Sequence, residues 1–402
     1  MISVKCDVAI LGAGVVGLST GIALLKANPK LRVTIFEKEY TLGRHASGRN
    51  SGVLHAGFYY SPESLKAKFC REGNFELRRL CGRHGITINT CGKVVVARNQ
   101  EEEDRLEVLY SRGIKNGVKL ELLEESDLSS FEPLAKTFRR FLWSPSTAIS
   151  DSQAVISALA DDFSRLGGDL YLGKSIKIKE QSGEIISIDK EIFFKHLVNC
   201  AGAQADRIAK SIKFATDYAM VPFMGIYRMT DDISLPLKTL VYPVPHPINP
   251  FLGVHFTLTL DGKVKIGPTA IPVLGREQYS WKEGWSASDV GEAIKGTFSL
   301  INGQTHDFSK IVQSEWLKLF QKTLVGEASE LVPAAIKVKK WIKKPPGIRA
   351  QLVHLPTGKL EQDFVVTNFL NSTHVLNAVS PGWTSSIPFG EYVANKFVLT
   401  NF

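Results

Sequence analysis

Apolar runs and polar breaks follow one another near the start of the chain in the order of a strand, a helix and a second strand. The continuous run Val8–Leu11 is typical of a strand that is buried on both faces of a parallel sheet. Apolar residues then recur at helical spacing over 18–25, and Pro29 marks the end of that helix. Residues 32–37 alternate and end in an acid. The pattern predicts the first unit of an α/β protein with a doubly wound parallel sheet.

The turn between the first strand and the helix carries the spacing GxGxxG. Its residues are Gly12, Ala13, Gly14, Val15, Val16 and Gly17. The first glycine permits a tight turn, the second lets the backbone approach a pyrophosphate, and the third lets the helix pack closely on the strand. The amino end of the helix also offers N–H groups to phosphates. In this context the spacing predicts a dinucleotide site.

The residues from the end of the second strand onward indicate which dinucleotide binds. Glu37 ends that strand where a carboxylate would accept hydrogen bonds from the adenosine ribose and repel a 2′-phosphate, which disfavours NADP. The chain then enters the irregular segment 44–60, RHASGRNSGVLHAGFYY, instead of another strand–helix unit. Residues 197–205 and 377–388 each pass from an apolar strand through a glycine turn towards a helix. This order favours FAD over NAD, because the last helix could stabilise negative charge on a reduced flavin.

Composition narrows the class of protein. The chain has 402 residues, with 49 Lys and Arg against 40 Asp and Glu, a net charge of +9. That charge suits an acidic small molecule, an anionic membrane surface or nucleic acid, but no block of like charges supports nucleic acid. The five cysteines never show CxxC spacing, which disfavours a disulfide framework and a structural zinc site and favours a reducing compartment. The start of the chain resembles neither a signal peptide nor a membrane span.

Short alternating segments between 216 and 345 predict an antiparallel sheet in a second, α+β domain. Asp261 and Gly262 form a favourable hairpin turn between two of its strands. We expect this sheet to cover the reacting end of the dinucleotide. The predicted dinucleotide-binding domain consists of residues 1–80, 146–215 and 346–402, and the predicted substrate domain of residues 81–145 and 216–345.

Five segments of the sequence resemble one family of flavoproteins. They are Asn50–Gly57, Pro250–His255, Ile266–Pro268, Gly347–Gln351 and Asn377–Pro388. Through them the chain resembles the D-amino-acid-oxidase-like FAD superfamily and, within it, the L-2-hydroxyglutarate oxidases and dehydrogenases, from about residue 5 to about residue 398. The resemblance implies a Rossmann-like FAD-binding domain of the glutathione-reductase type and an antiparallel-sheet substrate domain.

The resemblance also implies where FAD binds. We expect noncovalent binding, because no cysteine or histidine is placed for attachment, and we expect no metal. The irregular segment would lie along the flavin. The predicted cofactor-binding residues are Gly12, Ala13, Gly14, Val15, Val16, Gly17, Glu37, Lys38, Ser47, Asn50, Ser51, Gly52, Ala201, Gly202, Ser380, Pro381, Gly382, Thr384 and Ser385.

Oxidation of a 2-hydroxy acid requires a base for the hydroxyl proton, an acceptor for the Cα hydride and a cation for the carboxylate. Histidine has the unperturbed pKa that best suits the first role. By resemblance His55 faces the reacting centre and is the expected base, with His255 as the second candidate. The sequence does not separate proton transfer from orientation of the substrate.

Arg349 is the expected partner of the 2-hydroxy-acid carboxylate, since a guanidinium group binds a carboxylate through two hydrogen bonds. Tyr59, Tyr60 and Lys66 are candidates for the distal carboxylate, whereas Tyr242 is expected in the core.

One segment departs from the family pattern. Where the hydroxyglutarate family usually has Pro-Phe-Arg-Gly-acid-Tyr, this chain has Met224 in place of the arginine and Ile226 in place of the acid. If the two family residues form an ion pair, their joint loss is nearly neutral for folding. If the arginine binds the second carboxylate, the chain prefers a less acidic substrate.

The function that we expect is FAD-dependent oxidation of L-2-hydroxyglutarate to 2-oxoglutarate, with electrons passed to a quinone or to O2. The expected location is the cytoplasm, with possible peripheral contact with the anionic inner face of the cell membrane. One alternative is a flavin oxidase or dehydrogenase acting on another 2-hydroxy acid, glycerol-3-phosphate or an amino acid. An alternative of another class is an FAD-binding redox sensor without enzymatic activity.

Overall fold

A computed structural model describes residues 4–176, 178, 180–182, 185–187, 192–246, 252–303 and 307–402. Part of the stretch predicted as similar to the family at Pro250–His255 therefore lies outside the described residues. The α-helices of the described part are Val15–Ala27, Leu65–His84, Gln100–Lys115, Leu128–Phe131, Ser152–Arg165, Ala205–Ser211, Ala287–Gly303, Asp307–Leu317, Gln321–Ser329 and Ser386–Val393. Within the described ranges, no helix combines the length and the apolar character needed to cross a bilayer.

The dinucleotide sheet, as we name it, has six strands. Their order is Asp169–Tyr171, Val33–Phe36, Val8–Leu11, His196–Asn199, Ser372–Asn377 and Val365–Phe369. All neighbouring pairs are parallel except the last, which is antiparallel. The predicted strand–helix–strand unit and the later returns to the same sheet are confirmed. The Val8–Leu11 strand lies between the Val33–Phe36 strand and the His196–Asn199 strand. The strand order therefore continues from Val8–Leu11 in opposite directions, which makes this the switch point of the sheet.

The Val15–Ala27 helix lies in the interior, because other helices cover the faces of this helix that do not pack on the sheet. It packs against the Ser386–Val393 and Ser152–Arg165 helices. Ten of its residues are buried, from Val15 to Leu25. A helix that is apolar almost all round is stable only when it is enclosed in this way.

The cap, as we name the second domain, contains two larger sheets. The eight-stranded sheet has the order Ile342–Lys343, Arg228–Thr230, Val264–Gly267, His255–Leu258, Leu240–Pro243, Lys93–Val96, Arg140–Ser144 and Glu121–Glu124. The four-stranded sheet has the order Ile271–Pro272, Tyr218–Gly225, Gly347–His354 and Lys359–Leu360. Three smaller sheets complete the described part. One has three strands in the order Val53–Leu54, Ala148–Ser150 and Ile88–Asn89. The other two are pairs, one of Val4–Lys5 with Ile192–Phe193 and one of Glu180–Ser182 with Ile185–Ser187. The predicted turn at Gly262 has φ +76° and joins two antiparallel strands.

Two features of the cap differ from the sequence analysis. The region 216–345 was expected to consist of strands, but the Ala287–Gly303, Asp307–Leu317 and Gln321–Ser329 helices also lie in it. The sequence analysis placed the return to the first domain at residue 346, but the strand Gly347–His354 still belongs to the cap. It pairs along its whole length with Tyr218–Gly225. The chain rejoins the dinucleotide sheet at Val365. The division into two domains otherwise stays a prediction.

A buried arginine ties the two parts of the molecule together. The Arg276 side chain from the cap is 2% exposed and donates hydrogen bonds to the Asp206 carboxylate, which is fully buried in the Ala205–Ser211 helix. It also pairs with Glu292 and, at 3.3 Å, with Asp289. These carboxylates compensate the buried guanidinium charge.

We predict opposite effects for alanine at two helical glycines. A Cβ atom at Gly17 would overlap the carbonyl oxygen of Gly12, whereas a Cβ atom at Gly82 would meet nothing within 4 Å. Gly17→Ala should therefore lower the free energy of unfolding by about 2–3 kcal/mol or more. Gly82→Ala, its matched control, should raise it by about 0.5–1 kcal/mol through helix propensity. Urea unfolding measures both, and equal effects of the two substitutions would contradict this packing.

Candidate active site

The turn after the first strand lies directly against the ends of its neighbours. Gly12 has φ +101°, and a Cβ atom there would lie 2.6 Å from the carbonyl oxygen of Cys200. The Gly12 N–H donates to the carbonyl oxygen of Phe36 at 2.8 Å. A residue with a side chain would push the turn away from both strands. The turn thus occupies the carboxyl edge of the sheet at its switch point, where doubly wound proteins bind ligands.

The Val15–Ala27 helix has no acid of its own at its amino end. Its N-cap residue, Gly14, makes no side-chain cap, and its first turn contains no acid. The Ser47 hydroxyl accepts a hydrogen bond from the Val15 N–H at 3.1 Å. Because the partial positive charge of the helix end is uncompensated, this end fits a pyrophosphate.

Glu37 keeps hydrogen-bonding capacity at the end of the second strand. One of its oxygens accepts from the Ala13 N–H at 2.9 Å, and the other accepts from the Glu39 N–H at 3.0 Å. A carboxylate has about four acceptor positions, so about two remain for a ligand. The residues present therefore fit the ribose of a dinucleotide as well as its phosphates.

Lys38 joins the dinucleotide sheet to the cap. Its ammonium group lies 2.9 Å from His45 Nε2 and 2.9 Å from a Glu277 carboxylate oxygen, and it also pairs with Glu39. His45, Glu39 and Glu277 have the donor set of a metal site within the described residues. The ammonium group of Lys38 already supplies the positive charge that a metal cation would bring to these groups.

A cavity of about 790 Å³ extends from the glycine turn to His55, His255 and Arg349. This is within the size range of cofactor sites. Most of the predicted cofactor residues line it, namely Gly12, Gly14, Val15, Val16, Glu37, Lys38, Ser47, Asn50, Ser51, Ala201, Gly202, Ser380, Pro381, Gly382 and Thr384. Ala13, Gly17, Gly52 and Ser385 do not contribute to its lining.

The two predicted histidines lie at the same end of the cavity but in different surroundings. His255 Nδ1 lies 2.8 Å from the carbonyl oxygen of Gly253, and its ring stacks on Tyr242 with the centroids 3.8 Å apart. Burial lowers the pKa of His255 to about 3. His55 is held through its backbone, where its N–H donates to the Thr384 hydroxyl at 3.2 Å. Among the described residues its Nδ1 has no hydrogen-bond partner, and burial lowers the pKa of His55 well below its usual value.

Arg349 reaches the cavity from the strand Gly347–His354, directly opposite Phe223 on the neighbouring strand. Burial lowers the pKa of its guanidinium, and Tyr227, Tyr60, Glu315 and Tyr242 are close enough to act on it electrostatically. Tyr227 lines the cavity and was missed by the sequence analysis. Tyr242 lies in the core as expected, 1% exposed, and its ring also forms part of the cavity wall.

The three candidates for the distal carboxylate do not line the cavity. Tyr59 is partly buried, and its hydroxyl has no hydrogen-bond partner among the described residues. Tyr60 lies near Ser380 and Arg349, and burial raises the pKa of its phenol well above the usual value. Lys66 lies near Asp363, and burial lowers its pKa to about 8.

Strand alternation places the two residues that depart from the family pattern on the side away from the cavity. Phe223, Gly225 and Tyr227 line the cavity, whereas Met224 and Ile226 are 2% and 4% exposed and belong to an apolar cluster on the other side. The two apolar residues therefore pack together away from the cavity. This placement supports the view that an arginine and an acid at these positions would pair with each other.

The fold and the cavity have counterparts among known proteins. A family model described as FAD dependent oxidoreductase (DAO) matches residues 7–396. The L-α-glycerophosphate oxidase of Mycoplasma pneumoniae, solved with FAD bound, superposes with a TM-score of 0.75 at 23% identity, covering 97% of this chain and 94% of that one. The glycine oxidase of Geobacillus kaustophilus gives a TM-score of 0.69 at 21% identity, with coverage of 98% and 94%. These structures share the fold.

Curated relatives are more similar in sequence. The L-2-hydroxyglutarate dehydrogenase of Indibacter alkaliphilus is 38% identical over 96% of both chains. The enzyme of the same name from Escherichia coli K12 is 34% identical over 97% of this chain and 92% of its own. The human mitochondrial L-2-hydroxyglutarate dehydrogenase is 36% identical over 97% and 88%. This chain therefore belongs to the DAO family of FAD-dependent oxidoreductases, in the branch that contains the L-2-hydroxyglutarate dehydrogenases.

Proposed function

We propose that this protein oxidises L-2-hydroxyglutarate to 2-oxoglutarate. The observation that carries the proposal is a continuous cavity that has the dinucleotide turn at one end and a neutral histidine beside an arginine at the other. The identity of 34–38% to L-2-hydroxyglutarate dehydrogenases over nearly the whole chain supports the substrate. FAD, when bound, supplies the hydride acceptor, its N5 atom.

The residues that would hold FAD follow from the geometry of the cavity. We assign the ribose to Glu37 and the pyrophosphate to the helix end at Gly14 and Val15 with the Ser47 hydroxyl. The turn 380–384 would lie at the flavin ring. Its Thr384 hydroxyl donates to the carbonyl oxygen of Val53 and accepts from the His55 N–H, so it fixes this turn to the irregular segment. We infer noncovalent binding.

We assign the proton acceptor to His255 and place His55 second. The carbonyl oxygen of Gly253 can only accept, so Nδ1 of His255 carries the proton and Nε2 keeps its lone pair. Nε2 would take the hydroxyl proton while the Cα hydride departs and the carbonyl group forms. No contact of the described residues fixes the tautomer of His55 in the same way.

Arg349 is the proposed partner of the carboxylate next to the reacting carbon. It lines the cavity together with both histidines. Its guanidinium can hold that carboxylate through two hydrogen bonds and so orient the Cα–H bond.

We infer a quinone or O2 as the electron acceptor. We place the protein in the cytoplasm. Its net charge of +9 favours peripheral contact with the anionic inner face of the cell membrane.

Anaerobic mixing with the FAD-loaded protein tests the function. L-2-Hydroxyglutarate should bleach the flavin absorbance within seconds and yield 2-oxoglutarate, while the D enantiomer should not. Bleaching by glycerol-3-phosphate or an amino acid alone would replace the proposed substrate. Absence of bleaching by every 2-hydroxy acid would favour a redox sensor.

Glu37→Gln should weaken FAD binding by about 10- to 100-fold, because it removes the charge from a hydrogen bond to the ribose. Reconstitution of the apoprotein with FAD, followed by flavin fluorescence, measures the dissociation constant. Glu76→Gln is the matched control, since Glu76 pairs with Arg79 on the helix Leu65–His84, away from the cavity. An unchanged affinity of Glu37→Gln would remove Glu37 from the ribose.

His255→Gln should slow flavin reduction by about 10²–10⁴-fold, because glutamine cannot accept the hydroxyl proton. His55→Gln should have the smaller effect of the two. Rapid-mixing reduction rates at saturating substrate compare them. The larger loss in His55→Gln would reverse our assignment and restore the order expected from the sequence.

A further inference from the structure

Lys93 places an ammonium group behind the cavity wall, with no counter-ion among the described residues. The residue opens the strand Lys93–Val96 and is 0% exposed. Its Nζ has no hydrogen-bond partner among the described residues. Buried lysines are normally paired with a carboxylate, as Lys318 is with Glu315 at 2.6 Å. Lys93 departs from this pattern and therefore needs an explanation.

Three aromatic rings surround this ammonium group. The centroids of Phe58, Tyr59 and Tyr242 lie 4.6, 4.5 and 4.6 Å from Nζ. Lys93 is paired with Leu240 in the parallel strand Leu240–Pro243, so it shares a face with Tyr242 two positions further on. The rings stabilise the charge through their electron-rich faces but do not neutralise it.

The Tyr242 ring connects Lys93 to the cavity. Tyr242 contacts the ammonium group, lines the cavity and stacks on His255. The charge of Lys93 also lowers the pKa of both His55 and His255. The ammonium group is therefore electrically coupled to the end of the cavity where the substrate would react.

Lys93 is also the group of this cluster that titrates near neutrality. Burial lowers its pKa to about 7. The titratable groups around it are His55 and Tyr59 on the irregular segment, Cys70 on the helix Leu65–His84, Tyr242, and His255 behind Tyr242. Burial raises the pKa of Cys70 to about 12, raises that of both tyrosines further from neutrality, and keeps both histidines unprotonated.

We propose that Lys93 is a specificity-determining residue, whose uncompensated charge gains its counter-ion when the second carboxylate of the substrate enters the cavity beside Tyr242. The inference rests on the proposed function, since L-2-hydroxyglutarate has two carboxylates and Arg349 is assigned to one of them. Charges separated by an aromatic ring in an apolar surrounding attract each other more strongly than in water. The cavity should therefore favour a dianion over a monoanion of the same length.

Binding of two inert ligands to the oxidised FAD-loaded protein tests this proposal. Glutarate and valerate have the same chain length and differ by one carboxylate. Wild type should bind glutarate more tightly, and Lys93→Met should reduce that preference by about 10- to 30-fold, with valerate affinity changed less than threefold. Perturbation of the flavin spectrum reports both dissociation constants. Lys396→Met is the control, because Lys396 also lies over a ring, 5.2 Å from Tyr392, but is exposed.

Proton uptake gives a second readout that a packing role would not produce. A bound dianion should favour the charged form of Lys93. The protein should therefore take up a fraction of a proton when glutarate binds at pH 7.5, as measured by calorimetry in two buffers. Glutarate should bind more weakly as the pH rises through the pKa of Lys93 and lose this dependence in Lys93→Met. Because the substitution removes an unpaired buried charge, the variant should melt no lower than wild type.

The outcomes separate the two proposals. If L-2-hydroxyglutarate reduces the wild-type flavin but Lys93→Met keeps the glutarate preference, the Lys93 proposal alone is wrong. A loss of preference in Lys66→Met instead would assign the second carboxylate to Lys66 and also overturn it. If Lys93→Met fails to fold, Lys93→Gln and the pH dependence of wild-type binding decide the question. Wild type that neither binds glutarate nor is reduced by L-2-hydroxyglutarate would end both proposals.

Discussion

The cavity of this protein depends on a contact between backbones. The turn at Gly12 touches the end of the His196–Asn199 strand on one side and bonds to the end of the Val33–Phe36 strand on the other. That contact is possible only without a Cβ atom, and it is needed because the first strand lies between the two strands. The resulting crevice lies at the switch point of the sheet, where the strand order continues from Val8–Leu11 in opposite directions. The helix amino end and Glu37 reach the ligand because they start and end at this edge.

The cap completes the other end of the cavity through strand register. Phe223 and Arg349 are paired residues of adjacent antiparallel strands, and alternation turns Met224 and Ile226 to the opposite side. A shift of one residue in this pairing would exchange the two sets and remove the arginine from the cavity. The buried Arg276, bonded to Asp206 in the first domain, helps to hold the cap over the dinucleotide sheet. The reacting end of the site thus depends on register within the cap and on ion pairs between the domains.

Local pattern was sufficient to predict the first domain. The strand Val8–Leu11, the glycine turn and the acid at Glu37 are contiguous, and their spacing has a physical meaning that needs no distant residue. The helix Ala287–Gly303 was missed because its glycines contradict helix propensity. One of them, Gly296, lies against Val221, so the glycine is explained by packing on a strand far away in sequence. The contact between Tyr242 and Lys93 was missed for a similar reason, since a tyrosine or lysine within an apolar strand shows no sign of the rings it will meet.

Some of the buried polar groups left without protein partners lie close to where a ligand is expected. Within the described residues they include Nδ1 of His55, the Tyr59 hydroxyl, Nζ of Lys93 and the indole N–H of Trp383, which lines the cavity. A buried polar group without a partner destabilises a fold, so a ligand that pairs with these groups would stabilise it. Lys93 and Arg349 both act on the two histidines at the reacting end and lower their pKa values. A ligand with two carboxylates would oppose that effect, so its binding would make the histidines better proton acceptors.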